Sequence, residues 1–132
     1  MALTAFIVLA FAVIFGAFGA HALEDILADE DKAIYETANK YHFIHGLGML
    51  ILSTFFNKIT KRTVLISGIS LSIGIVLFCG SLYLLALSEA FLGDRLSFLG
   101  MITPLGGISF IVGWLLPAIH LFKKVIKKEM KG

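Results

Sequence analysis

A single cysteine, two prolines and one tryptophan occur in these 132 residues, and four long stretches hold no Asp, Glu, Lys or Arg at all. Lone Cys79 excludes a disulfide within the chain, and the lack of a CxxC pair excludes a paired-thiolate zinc site or a dithiol redox couple. A thiol inside an apolar stretch reads as a small packing residue. There is no GxGxxG or GK[ST] loop to cradle phosphates, no Ser elbow, and no paired carboxylates in a plausible pocket. Charged residues make up 15% of the chain against about 25% in soluble domains, and a net charge of +2 is too small to argue for a nucleic-acid partner. The usual signatures of catalysis and of nucleic-acid binding are thus missing.

What the chain has in their place is apolar length. The charge-free stretches run Met1–Leu23, Tyr41–Asn57, Thr63–Ser88 and Leu96–Phe122. Three of them exceed the roughly 20 residues with which an α-helix crosses a hydrocarbon core of about 30 Å. With 58% hydrophobic residues and a mean hydropathy of +0.95, the expected class is a polytopic, all-α membrane protein forming one domain over residues 1–132. The expected spans are approximately 2–23, 34–57, 63–88 and 96–122, packed as a four-helix bundle. Ala20-His21-Ala22 resembles a signal-peptidase site, but Met-Ala-Leu-Thr-Ala has no Lys or Arg to form an n-region, so the first stretch is expected to be a retained span.

Charge in the connectors orients the spans. The first connector carries Glu24, Asp25, Asp29, Glu30, Asp31 and Glu36 against Lys32 and Lys40. The second carries Lys58, Lys61 and Arg62 with no acid, the third Glu89, Asp94 and Arg95, and the tail 123–132 five lysines and Glu129. Short basic loops stay cytoplasmic. Four spans with both termini cytoplasmic, in the cell membrane, satisfy every block. Lys123, Lys124, Lys127 and Lys128 then contact lipid headgroups, each contributing on the order of 1 kcal/mol. His120 reads as an interface or helix-end residue, and Trp114 as packing or part of an inner aromatic belt.

Span two is the weakest, since its 17 charge-free residues cover only about 25 Å as a helix. Its helix is expected to start earlier, near Asp31, where acids suit the positive end of the helix dipole. Ile34, Ala38, Tyr41 and His45 recur at helical spacing along it. Every span also carries small residues, among them Gly16, Gly46, Gly74 and Gly113, and small residues let membrane helices approach closely. Thr103-Pro104-Leu105-Gly106-Gly107 combines a missing donor with two flexible residues, which predicts a helix break at Pro104, Gly106 and Gly107.

The candidate chemistry gathers at the outer ends of the first hairpin. His21 closes span one, while His42 and His45 open span two and share a helix face; Glu24 follows His21 by one turn. Tyr35 and Tyr41 belong to the same neighbourhood, with Tyr83 and Thr103 reaching it from the second hairpin. Three readings stay open for this polar cluster. It is a structural hydrogen-bond network, or His21, His42 and His45 hold a transition metal or haem, or the histidines respond to pH. No HExxH-type spacing supports the metal, and no cofactor is predicted. The leading expectation is a non-enzymatic membrane protein that packs against itself or another membrane protein. The alternative is a metal- or proton-linked site at the outer face, and because four short helices seldom enclose a pore, transport would require an oligomer.

At these same residues the chain resembles a known family. Gly16-Ala17-Phe18-Gly19-Ala20-His21-Ala22-Leu23 resembles the opening motif of the small membrane proteins grouped as domain of unknown function 423, which are related to the transmembrane protein 256 family. Tyr35, Thr37, Ala38, Tyr41, His42 and His45 match its second block, and Gly80-Ser81-Leu82-Tyr83-Leu84-Leu85-Ala86-Leu87 its third. Thr103-Pro104-Leu105-Gly106-Gly107 with Gly113-Trp114 matches its fourth. The resemblance implies a four-span layout and draws attention to the outer histidines and tyrosines. It implies no catalytic residue.

Overall fold

A computed structural model describes residues 1–130, apart from the side chain of Phe56. Lys131 of the predicted basic tail lies outside the described residues. The described chain is all-helical and makes four rods. Helix α1 spans Ala2–His21 and α2 spans Asp29–Ser53. The third rod, Lys61–Leu92, is continuous and consists of α3 (Lys61–Gly74), a π-helical turn (Ile75–Cys79) and α4 (Gly80–Leu92). Helix α5 spans Thr103–Glu129, after a 3-10 turn at Ser97–Met101. Three rods are long and apolar enough to cross a membrane: Ala2–His21, Lys61–Leu92 and Ser97–Glu129. The α2 rod falls outside that set because Asp29, Glu30, Asp31, Lys32, Glu36 and Lys40 crowd its first half.

Local chemistry explains the helix ends. At the start of α2, Asp29, Glu30 and Asp31 sit in the first turn, where the dipole favours negative charge. Thr60 caps α3 by accepting from the Thr63 N–H at 3.3 Å. Helix α4 stops at Gly93, whose φ of +71° is the left-handed conformation that glycine tolerates without strain. Ser88 Oγ, which donates to Leu85 O, accepts from Leu96 N at 3.1 Å and ties down the chain beyond the turn.

The predicted break in the last span is corrected here. Pro104 occupies the first turn of α5, where its missing N–H costs nothing, and the helix runs on unbroken through Gly106, Gly107 and Pro117. The irregular backbone lies just before Pro104, in the 3-10 turn, and on the third rod, in the π-helical turn facing Gly106. A Cβ on Gly106 would collide with the Phe78 backbone, its contact with Phe78 Cα being 2.8 Å. The glycine is therefore used for close approach rather than for bending.

The packing of α5 on the third rod repeats down the pair. Phe110 fills the space left by Gly74, and Leu71 the space left by Gly113. Helix α2 is central, meeting α1, the third rod and α5. Its buried stripe runs Asp31, Tyr35, Ala38, His42, His45, Met49 and Leu52, alternating steps of four and three as in a coiled-coil seam. That stripe differs from the predicted one by about one position: Tyr41 is 38% exposed and Ile34 half-buried. Helix α1 is apolar all round and fully buries only Ala5 and Ala12, leaving Phe6, Phe11, Val13, Ile14 and Phe18 exposed.

Candidate functional site

The site forms where α1, α2 and α4 meet. Small residues on α1 let α2 come close: Tyr35 lies against Gly19 and Asn39 against Gly16. Tyr35 Oη donates to Phe15 O at 2.9 Å, and Asn39 Nδ2 donates to Ala12 O at 2.8 Å. Asn39 Nδ2 also reaches Tyr83 Oη on α4 at 3.1 Å, and Tyr83 Oη lies 3.4 Å from His42 Nδ1. Phe15 and Tyr35 close the layer around Tyr83, with ring centroids 5.0 Å and 4.8 Å from its own. Three helices are thus joined by one polar chain, Ala12 O–Asn39–Tyr83–His42, set inside an aromatic shell.

His45 sits one turn further along and is engaged differently. Its Nδ1–H donates to Tyr41 O at 2.7 Å, which fixes the proton on that nitrogen because a carbonyl can only accept. The ring stacks on Phe110 with a centroid separation of 3.4 Å. Tyr41 covers the same region from the surface, stacked on Phe78 at 4.6 Å.

Of the predicted cluster, Tyr35, His42 and Tyr83 come together, with His45 and Tyr41 beside them. His21 and Glu24 do not join. Both are exposed, and the packing of Gly19 on Tyr35 puts the end of α1 level with the first turns of α2. With Tyr35 facing Gly19, His42 is seven residues further down α2 and His21 two residues further up α1, a separation of roughly 13 Å along the hairpin at 1.5 Å per residue. Placing the three histidines at one level took His42 and His45 as the opening of span two, although the helix itself was expected to start near Asp31. It starts at Asp29, so His42 and His45 are mid-helix. Thr103 is likewise elsewhere, sharing a hydrogen bond of 2.8 Å with Ser81 and donating to Leu99 O at the α4–α5 contact. Among the described residues no three His, Cys, Asp or Glu side chains converge in a way that could hold a metal ion.

Two features were not anticipated. Asn39, at four residues from Tyr35 and three from His42, shares their face, but an uncharged residue beside Lys40 gives no signal in a charge count. Arg95 clasps the acidic end of the bundle, with Nη1 3.0 Å from Asp31 Oδ1 and 3.5 Å from Glu89 Oε2, and Nη2 3.2 Å from Glu30 Oε1. Asp31 is buried, and Arg95 is the cation facing it. At the opposite end Lys124 Nζ donates to Lys58 O at 3.2 Å, and His120 Nδ1 lies 3.4 Å from Thr63 Oγ1. Lys123, Lys124, Lys127 and Lys128 belong to α5, exposed along its last turns.

Apolar rods with exposed Leu, Ile, Val and Phe around an internal polar seam define an integral membrane protein. Comparison with known sequences agrees. Residues 15–107 match the family described as "Protein of unknown function (DUF423)", and the chain belongs to that family. It is 45% identical over 108 residues to a UPF0382 membrane protein of Staphylococcus epidermidis, covering 82% of this chain and 83% of the relative. It is 38% identical over 113 residues to the UPF0382 membrane protein YwdK of Bacillus subtilis, covering 85% and 87%. With the UPF0382 inner membrane protein YgdD of Escherichia coli it shares 36% identity over 120 residues, covering 89% and 87%. No solved structure matches the chain significantly.

Proposed function

We propose that this chain is a non-enzymatic, four-span protein of the cytoplasmic membrane, with both termini on the cytoplasmic side, acting through helix contacts with copies of itself or with another membrane protein. The observation that carries the reading is how its mid-helix polar groups are used. Tyr35 and Asn39 each donate to a backbone carbonyl of α1, Tyr83 on α4 bridges Asn39 and His42, and His45 donates to Tyr41 O within α2. Polar groups spent on joining helices build a rigid scaffold and leave few reactive atoms for chemistry. The orientation draws support from charge: Lys58, Arg62 and the α5 lysines gather at one end, and the acids around Arg95 at the other. Crosslinking in native membranes tests the role, with a defined homo- or hetero-complex expected; a solitary monomer at native abundance would refute it.

A proton-linked role is the second reading, favoured by the Asn39–Tyr83–His42 chain alone. It requires an oligomer, because four short helices seldom enclose a pore. Proton flux into liposomes that is pH-dependent and abolished by His42→Ala would support it, and flat flux would remove it.

A further inference from the structure

Between α1 and α2, at the end of the bundle that carries the acids, lies a cleft of about 490 Å³ that the polar seam does not fill. Its floor is Gly16, Gly19, Tyr35 and Asn39, and its rim bears Glu24, Lys32, Glu36 and Lys40. The cleft opens on the outside of the bundle, since Ala20, Glu36 and Lys40 are exposed. Gly16–Ala20 belongs to a charge-free stretch and Lys40 is the last charge on α2 before its apolar half, so the opening faces lipid at headgroup depth.

The chemistry of the walls is matched to both signs of charge. Lys32, Glu36 and Lys40 recur every fourth residue of α2 and so alternate in sign along one face. Asn39 adds an acceptor. Its Nδ2 is committed to Ala12 O and Tyr83 Oη, which turns Oδ1 toward Gly16, where a Cβ would lie 3.0 Å away. Among the described residues no donor is directed at that oxygen. Lys32 Nζ is 3.5 Å from Asp29 Oδ1, which leaves Lys40 as the lysine for a phosphate, so a ligand for these walls carries a phosphate for Lys40 and an N–H-bearing cation, close to it, for Glu36 and Asn39 Oδ1. Glu36 and Lys40 stand about 6 Å apart between Cβ atoms, comparable to the span from a phosphate to an ammonium two carbons beyond its ester oxygen.

We infer that this cleft is a binding site for a phospholipid whose headgroup carries a primary ammonium beside its phosphate, with the acyl chains running down the exposed apolar face of α1. The site rests on the membrane class of the chain and is independent of its interaction role and of which end is cytoplasmic. The phosphate takes Lys40, the deeper lysine, and the ammonium takes Glu36 and Asn39 Oδ1. A trimethylated ammonium has no N–H to give those acceptors, and a glycerol headgroup has no cation.

The full chain, delipidated and reconstituted with equal amounts of phosphatidylethanolamine, phosphatidylcholine and phosphatidylglycerol, tests this by native mass spectrometry. One phosphatidylethanolamine is expected to be retained preferentially. Lys40→Gln should weaken its retention about fivefold, and Glu36→Gln should erase the preference over phosphatidylcholine. Both side chains are exposed, so helix content and melting should stay as in the unsubstituted protein. Equal retention of all three lipids, a preference for phosphatidylglycerol, or indifference to both substitutions would overturn the site. Displacement by soluble phosphoethanolamine at concentrations equal to the lipid would overturn its assignment to a lipid.

Discussion

At the scale of single residues, adjacent glycines in α5 illustrate how packing, not composition, gives a residue its weight. Gly106 lies against the Phe78 backbone, which cannot rotate aside, whereas the nearest atom to a Cβ on Gly107 is Phe78 Cδ2 at 3.9 Å. Gly106→Ala should therefore force α5 off the third rod and cost about 2 kcal/mol or more. Gly107→Ala should stay within roughly 0.5 kcal/mol of the unsubstituted protein. Thermal unfolding in detergent, run side by side, checks the contrast. Asn39→Leu removes the donor to Ala12 O and Tyr83 Oη while keeping similar bulk, and should cost about 1 kcal/mol. In the same assay Tyr83→Phe in that background should add less than it does alone, because both substitutions cut one chain of hydrogen bonds.

At the scale of elements, the acidic start of α2 is held by a residue from the α4–α5 connector. Asp31 is 4% exposed and Arg95 Nη1 is 3.0 Å from its Oδ1, so removing the cation strands a buried carboxylate. Arg95→Gln is expected to cost on the order of 2–3 kcal/mol, less than a fully buried pair because the guanidinium is partly exposed. Asp31→Asn in the Arg95→Gln background should recover most of that loss, which the midpoint of unfolding would reveal. The α2 stripe belongs to this scale as well. Helical spacing was legible from Ala38 and His45, yet Tyr41 turned out to be a lid over Phe78 and Tyr35 part of the seam. A shift of one residue rotates a helix by about 100°, and choosing between neighbouring registers depends on which partner helices lie alongside.

For the whole molecule, the separation of charge is the property with the widest reach. The basic second connector touches the lysine-bearing end of α5, while Arg95 and its acids occupy the far end. The proposed orientation, with both termini cytoplasmic, predicts that a cysteine placed at Lys61 stays unlabelled by a membrane-impermeant maleimide added outside cells. One placed at Asp29 should react. Native Cys79 is buried and serves as an internal zero. The reverse pattern would invert the orientation, and labelling of both positions in intact cells would dismantle the four-span arrangement.

Composition and periodicity alone were enough for the helical class, the apolar rods, the early start of α2 and the concentration of histidine and tyrosine on its face. These depend on local quantities: the length of a charge-free run, the sign of a connector, the spacing of residues along one helix. Tertiary structure decided everything that depends on how two helices slide along each other. Starting α2 at Asp29 put His42 beside Tyr83 and left His21 about two and a half turns away, so residues expected at one level were separated. It also made Asn39 the link between three helices, and placed Pro104 in a first turn where it breaks nothing. Register is set by the fit of Tyr35 on Gly19, Asn39 on Gly16 and Phe78 on Gly106, contacts between residues far apart in the chain, which no reading of one segment at a time contains.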